Sequence, residues 1–323
     1  MNRIDVEIIK ALTNKKDYVS GEKLGRTLNV SRNTIWKHIL KLKEDGYIIE
    51  TSPKKGYRLI SSPDTITSEA VAAALTTELI GNRIIVVDKT SSTNELAKVQ
   101  AKTSAEAGLV VIANEQSQGK GRRGRIWHSQ PGGLYFSILL RPRIPLNEAT
   151  KITLLTGVTI VETLRKLYHL PAVLKWPNDI LIEDRKVCGI LTELSANIET
   201  INYIVIGIGI NCNQDPESWP SDIRETATSL QTVTGNSINR KKLLEKTLTH
   251  LEYNYQKFIK GEMRELIDLA KQYTPLLGRT VQVITSQETF TAKAVDISDT
   301  GALIVKTQAG KQITLWAADV SIR

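Results

Sequence analysis

Nine residues, Gly119-Lys120-Gly121-Arg122-Arg123-Gly124-Arg125-Ile126-Trp127, lie between two apolar runs that read as strands, Leu109 to Asn114 and Leu134 to Leu140. They contain the pattern GxGxxG, which in a dinucleotide-binding fold must follow a strand and open a helix. Here Gln130-Pro131-Gly132-Gly133 and a further strand follow, so the helix is missing. No Gly-Lys-Ser/Thr closes the run, so it is not a P-loop either. Most neighbouring strands are joined by short connections, and an α+β domain with a mixed or antiparallel sheet fits better than a doubly wound one. The loop itself carries four cations, with glycines that let the backbone approach a ligand closely. Such cations repel one another until an anion arrives, so the loop is suited to ordering around a phosphate. An exposed basic or RNA-binding loop is the alternative reading of these residues.

The chain is basic, with a formal net charge of +9, and the charge is concentrated at one end. Residues 1–60 hold 9 Lys and 4 Arg against 3 Asp and 4 Glu, a net +6, leaving +3 for the other 263 residues. That imbalance points to a polyanion partner. Ile4, Ile8, Ile9 and Leu12 recur at helical spacing. Ser20 is placed to cap a second helix and Ser31 a third, whose apolar face is Ile35, Ile39 and Leu42. Asp45-Gly46 ends it, and Tyr47 to Leu59 reads as a hairpin with a basic turn at Lys54 and Lys55. This is the order of a winged helix-turn-helix, whose third helix enters the DNA major groove. Ser20, Ser31, Arg32, Asn33, Thr34, Lys37, Lys54 and Lys55 are its candidate DNA contacts, with Lys41 on the same polar face. A winged helix that binds protein is the alternative.

Ser61-Ser62-Pro63-Asp64 reads as a linker. Beyond it, strands are expected at 84–88, 109–114, 134–140, 173–175, 180–182 and 203–210, and helices at 94–101, 149–168, 240–260 and 263–273. The last fifty residues change character: short alternating strands with Gly-marked turns predict a small SH3-like β-barrel. The expected domains are 1–62, 63–274 and 275–323. Cys188 and Cys212 show no CxxC or zinc-type spacing, and the four histidines share no ligand pattern, so a disulfide framework and a metal site are not expected. No apolar run reaches the ~18 residues of a membrane helix, and no signal-peptide core stands at the N-terminus, so a cytoplasmic location without membrane attachment is expected.

Three further pieces accompany the basic loop: Lys175-Trp176-Pro177-Asn178-Asp179, Asp184-Arg185-Lys186-Val187-Cys188-Gly189-Ile190-Leu191 and Gly207-Ile208-Gly209-Ile210-Asn211. With Ser91-Ser92-Thr93-Asn94-Glu95 and Asn114-Glu115-Gln116, they resemble the biotin protein ligases in residue and order along essentially the whole chain. The leading winged helix resembles the bifunctional class, which both ligates biotin and represses the biotin operon. Members commonly carry Arg where this loop has Lys120, which keeps the charge and loses the planar fork.

The resemblance implies that biotin attacks the ATP α-phosphate, releasing pyrophosphate, and that a lysine of a biotin carboxyl carrier domain then attacks biotinyl-5'-AMP. It implies biotin and ATP as substrates, Mg²⁺ accompanying ATP, and carrier domains, operator DNA and a second copy of the chain as partners. Catalytic roles fall to Arg122, Lys186 and Asp179. Biotin would be held by Ser92, Thr93, Asn94, Gln116, Lys120, Gly121, Arg122, Lys186 and Gly189. The adenylate would meet Arg122, Arg125, Trp127, Lys175, Asn178, Asp179 and Asn211. Ser92, Thr93 and Asn94 could equally cap the following helix, and Asp179 could be a structural partner of Lys175. A lipoate-type ligase, a ligand-sensing repressor without turnover, and a ligase whose winged helix no longer binds DNA are the competing readings.

Overall fold

The structure is a computed structural model and describes residues 3–13, 17–61, 65–103, 105–197, 200–285, 288–316 and 318–322. The expected linker falls outside the described residues after Ser61. The chain divides into two compact units, Met1–Thr65 and Ile66–Arg323.

In the first unit, α1 (Arg3–Thr13), α2 (Gly21–Leu28) and α3 (Arg32–Glu44) precede a hairpin of β1 (Ile48–Ser52) and β2 (Gly56–Ser61). Ser20 and Ser31 cap α2 and α3, their hydroxyls accepting from Lys23 N at 3.1 Å and Thr34 N at 3.0 Å. Asn29 closes α2 in the left-handed conformation, φ 53°. A Cβ on Gly25 would lie 2.7 Å from the Val30 carbonyl, so glycine there permits the tight helix-turn-helix crossing. Ile8, Leu12, Leu24, Ile35, Ile39 and Leu42 fill a core of this unit's own.

The second unit is built on a seven-stranded sheet: β3 (Ile84–Thr90), β4 (Val110–Gln116), β5 (Leu134–Leu140), β6 (Val173–Lys175), β7 (Asp179–Ile182), β8 (Arg185–Ala196) and β9 (Ile201–Ile210). Its strand order is β3-β4-β5-β9-β8-β7-β6. Only β3 and β4 are parallel among these pairs, and α5 (Thr93–Lys102) makes the crossover that parallel pairing requires. Helices cover both faces, so β5 is buried at every residue and reads as an unbroken apolar run. Ala97 and Ala101 of α5 pack against Val111, Leu139 and Val205 on one face. The other face carries α6 (Ala149–Tyr168), with α9 (Arg240–Ile259) packed on α6 and α10 (Arg264–Tyr273) beside it. Shorter helices, α4 (Ser68–Ala72), α7 (Ser221–Arg224) and α8 (Leu230–Thr234), occupy connections with no strong period in the sequence. Glu252 of α9 is buried, and its carboxylate accepts the backbone N–H groups of Glu78, Leu79 and Ile80 at 2.6, 2.9 and 2.6 Å. Glu162 of α6 meets His250 of α9 at 3.2 Å and Lys166 at 3.0 Å.

The C-terminal strands β10 (Thr280–Ile284), β11 (Thr289–Ile297), β12 (Leu303–Thr307), β13 (Gln312–Leu315) and β14 (Asp319–Ile322) form an antiparallel sheet in the order β13-β12-β11-β10-β14. The first four match expectation closely. β14 was not expected; it pairs with β10 and sets Asp319 opposite Ile284. Val281, Val283 and Ala294 of this sheet share the apolar core of the second unit. No helix of the described residues is long and apolar enough to cross a membrane. Cys188 and Cys212 are buried and form no disulfide.

Candidate functional site: a cleft between the basic loop and the central sheet

One cleft of the second unit, about 740 Å³ counting its open mouth, gathers residues from six separate stretches of chain. Ser92, Thr93, Asn94, Gln116, Lys120, Gly121, Arg122, Arg125, Trp127, Asn178, Asp179, Lys186 and Gly189 all line it. Lys175 and Asn211 do not. Lys175 stands on β6, paired in register with Asp179. Asn211 is buried and donates to the Thr228 carbonyl at 3.1 Å, tying the end of β9 to the segment before α8.

The floor is a hydrogen-bonded set on α5, β4 and β5. Gln116 Oε1 accepts from Thr93 N at 2.8 Å and Thr93 Oγ1 at 3.1 Å, while Gln116 Nε2 donates to Ser129 Oγ at 2.8 Å. Ser137 Oγ lies 2.7 Å from Thr93 Oγ1 and 2.6 Å from Asn94 Oδ1, with one hydroxyl proton to share between them. Asn94 Nδ2 donates to Glu193 at 2.7 Å. Ser92 holds the N-cap position of α5, but its hydroxyl makes no capping hydrogen bond. Ser137 and Glu193 carry no local motif, and their place became visible only when β5 and β8 were brought beside α5.

The glycines of the third and fourth pieces have a specific reason. Gly189 and Gly209 face each other across β8 and β9. The Trp127 indole rests on both: an added Cβ would lie 2.7 Å from its ring at Gly189 and 2.4 Å from Nε1 at Gly209. A Cβ on Gly207 would lie 2.2 Å from Asn94 Oδ1. These glycines thus admit side chains of the cleft wall. Lys186 Nζ stands 5.2 Å from the indole centroid, in cation–π range.

The β7–β8 hairpin carries Lys186 to Asp179, Nζ to Oδ1 2.7 Å. Asp179 is therefore the ion partner of Lys186. Arg122 donates to Asn178 Oδ1 at 2.8 Å, and Asn178 Nδ2 donates to the Ile190 carbonyl at 3.0 Å, so the KWPND corner fixes the guanidinium against β8. Burial pushes the Arg122 guanidinium below its ordinary pKa, opposed by the charges of Asp319 and Asp179.

The basic loop is not left without anions. Lys120 Nζ meets Glu95 at 2.5 Å, and Lys98 meets the same oxygen at 2.9 Å. Those two lysines, Lys120 first, hold the Glu95 carboxyl down at about 2. Asp319, on β14, faces Arg125, Arg123 and Arg122 together. The expectation that these cations stay mutually repelled until a ligand arrives is corrected: the neutralising carboxylates come from α5 and from nearly two hundred residues downstream.

In the first unit Arg32, Asn33, Lys37, Lys54 and Lys55 are exposed, and Thr34 is half-buried. Ser20 and Ser31 spend their hydroxyls on caps. Lys41 turns to the buried Asp5, at 3.1 Å, and His38 Nδ1 meets the same carboxylate at 2.6 Å. Trp36 and Leu40 are exposed large apolar residues on α3, a feature the sequence reading did not single out.

Family models agree with this layout. One described as an HTH domain matches residues 7–58, one described as the Biotin/lipoate A/B protein ligase family matches 86–211, and one described as the Biotin protein ligase C terminal domain matches 276–323. The chain is 36% identical to the bifunctional ligase/repressor BirA of Bacillus subtilis (strain 168), over 95% of this chain and 94% of that one. It is 30% identical to BirA of Escherichia coli (strain K12), over 98% and 99%. Among solved structures, the biotin protein ligase of Aquifex aeolicus in complex with biotin and ATP superposes with a TM-score of 0.65 at 32% identity, over 75% of this chain and 99% of that one. A sequence that agrees over nearly the full length of such relatives, on a fold shared with a solved biotin protein ligase, makes this chain a member of the biotin protein ligase family, in the group that carries a helix-turn-helix ahead of the ligase.

Proposed function

We propose that the cleft forms biotinyl-5'-AMP from biotin and ATP and passes the biotinyl group to a lysine of a biotin carboxyl carrier domain. The observation that carries this reading is the convergence of Arg122, Asn178, Asp179 and Lys186 at one end of a cleft whose other end is the Ser92–Thr93–Asn94–Gln116 set. A carboxylate is a poor acyl donor, and its anhydride with AMP has a good leaving group. The protein's task is positioning and charge compensation, with no covalent enzyme intermediate.

Ser92, Thr93, Asn94 and Gln116 would hold the polar ring of biotin, and Gly189 would border its apolar part. Arg122, helped by Lys120 and Gly121, would hold the biotin carboxylate against the α-phosphate. Lys186 would bridge carboxylate and phosphate oxygens as charge builds. Trp127 would cover the adenine, and Arg125 and Asn178 would serve the nucleotide end. Mg²⁺ would accompany ATP, bound chiefly through its phosphates. Mixing the protein with biotin, Mg·ATP and an apo carrier domain should add one biotinyl mass to the carrier lysine. No mass gain would sink the reading, and lipoate in competition would test the lipoate alternative.

The exposed face of α3 and the wing would bind operator DNA of biotin genes. As in two-fold symmetric repressors, binding would use a homodimer, with biotinyl-5'-AMP as the co-repressor that promotes it. Linkage then requires dimerisation to tighten retention of the adenylate. Sedimentation with and without adenylate tests the dimer, and a gel shift on an inverted repeat tests the DNA half. We read 1–62, 63–274 and 275–323 as the functional divisions, supported by the extents of the helix-turn-helix and C-terminal family models.

A further inference from the structure

Helix α3 of the first unit leaves two large apolar side chains outside its core. Ile35, Ile39 and Leu42 enter that core. Asn33, Trp36, Lys37 and Leu40 recur at i, i+3, i+4 and i+7, so they form one stripe along the helix, and all four are exposed. Trp36 is 48% exposed and Leu40 39%. Tryptophan seldom stands that open on a folded surface, because most of its ring is apolar. The Trp36 indole makes no hydrogen bond or ring contact among the described residues. The fold of the first unit accounts for neither side chain.

Their surroundings define the surface that covers them. Arg32 and Lys37 are exposed beside the pair and make no ion pair among the described residues. Lys54 and Lys55 are exposed at the tip of the hairpin. The one acid of α3, Glu44, is its last residue, and Lys41 is turned to Asp5. The centre of a protein–protein interface is depleted of charge. Here free cations flank the two apolar side chains on their own helix, which suits a polyanion with apolar points set inside it. The DNA major groove has that character. Phosphates line its edges, it is wide enough to admit a helix, and the one apolar group on its base edges is the 5-methyl of thymine.

We propose that Trp36 and Leu40 are specificity-determining residues that read thymine methyl groups in the major groove, beside the base edge met by Asn33. The proposal rests on the DNA reading above. The Asn33 amide matches the N6 and N7 edge of adenine. The apolar pair adds a demand for thymine at neighbouring positions, which polar side chains and phosphate contacts alone do not impose. Water leaves both the methyl and the indole on binding, so the contact is made only where the methyl is present.

The test begins with the full chain, biotin and Mg·ATP, which together select duplexes from a randomised pool. Each thymine of the selected site is then replaced in turn by deoxyuridine, which keeps every hydrogen-bonding group and lacks only the methyl. Fluorescence anisotropy reads the binding. Wild type should bind about fourfold more weakly after at least one such replacement, the worth of one buried methyl. In the double variant Trp36→Ala with Leu40→Ala that ratio should fall to about one. Its affinity for an unrelated duplex and its salt slope should stay as in wild type, because no charge is lost. Indifference of wild type to every deoxyuridine would overturn the proposal. So would a double variant that keeps the wild-type ratio, including one that binds more weakly only because sedimentation shows its dimer lost, which would assign the pair to a protein contact. Melting curves control for the fold. Should the double variant not fold, Trp36→Ala and Leu40→Ala are read singly by the same ratio, and its persistence in both overturns the proposal equally. Failure of the DNA reading has a different signature: wild type enriches no sequence and shifts no duplex.

Discussion

Lys186 Nζ and Asp179 Oδ1 stand 2.7 Å apart across the β7–β8 hairpin. The ammonium is paired with the carboxylate, and the indole of Trp127 lies in cation–π range of it. A cation held this way can turn toward charge that develops in the cleft. Lys186→Ala should lower kcat for adenylate formation by about 10²–10³-fold, the usual loss on deleting one group that stabilises transition-state charge. Pyrophosphate release measures it, and a fall of less than about threefold would remove Lys186 from the mechanism.

The glycines of β9 predict two distinguishable failures. In Gly209→Ala the new Cβ would meet Trp127 Nε1, so the indole must leave the sheet. Biotinyl-5'-AMP should dissociate at least about tenfold faster, with little change in melting, because Trp127 sits on a loop. In Gly207→Ala the clash falls on buried Asn94, which Ser137 and Glu193 hold in place. That variant should lose about 1–3 kcal/mol of stability. Equal melting points for the two would contradict the packing described.

Glu252→Ala leaves three backbone N–H donors near Ile80 without their acceptor. Each stranded buried donor costs roughly 1–3 kcal/mol, so a loss of about 3 kcal/mol or more is expected in chemical denaturation. Loss of less than about 1 kcal/mol would mean that water or another group replaces the carboxylate.

Acid stability should depend on Glu162. His250 first, then Lys166, hold its carboxyl down from 4.5 to about 2. A depressed carboxyl stabilises the fold fully above its unfolded pKa and loses that contribution as pH falls through the folded value. Unfolding measured from pH 5 to pH 2 should therefore fall less steeply in Glu162→Gln than in wild type. Parallel curves would contradict the pairing.

For DNA, Lys54→Ala with Lys55→Ala should lower the slope of log K against log salt by about 1.8, at roughly 0.9 per phosphate contact. Asn33→Ala should cost about 1–3 kcal/mol on operator and relax base preference at one position. Lys41→Ala should leave the slope alone, because its ammonium is committed to Asp5. A slope that drops equally for Lys41→Ala would place that residue on the phosphates instead.

Much of this site was legible before any coordinates, for a physical reason. Arg122, Asn178, Lys186 and Gly189 lie in dense local motifs, and helices such as α6 announce themselves by period. What escaped was supplied by tertiary pairing. Asp319 sits in a four-residue edge strand and gains meaning only opposite Ile284. Ser137 lies in an apolar strand where one polar residue reads as noise, and Glu193 lies in a strand of mixed character, outside any motif. Lys175 and Asn211 share the motifs yet fall outside the cleft: Lys175 lies one strand further out, on the edge strand β6, and Asn211 stands past the end of β9, bonded to the Thr228 carbonyl. The loop's anions were invisible because charge balance is settled in space.

The seating of Trp127 on Gly189 and Gly209 has an optical consequence. Of the five tryptophans, Trp127 alone lines this cleft among the described residues. Its indole emission depends on whether it rests against the sheet beside Lys186 or swings toward solvent. The chain thus carries a reporter of its own loop, readable by intrinsic fluorescence in real time without any label, so that occupancy of the cleft can be followed in the same cuvette as DNA binding.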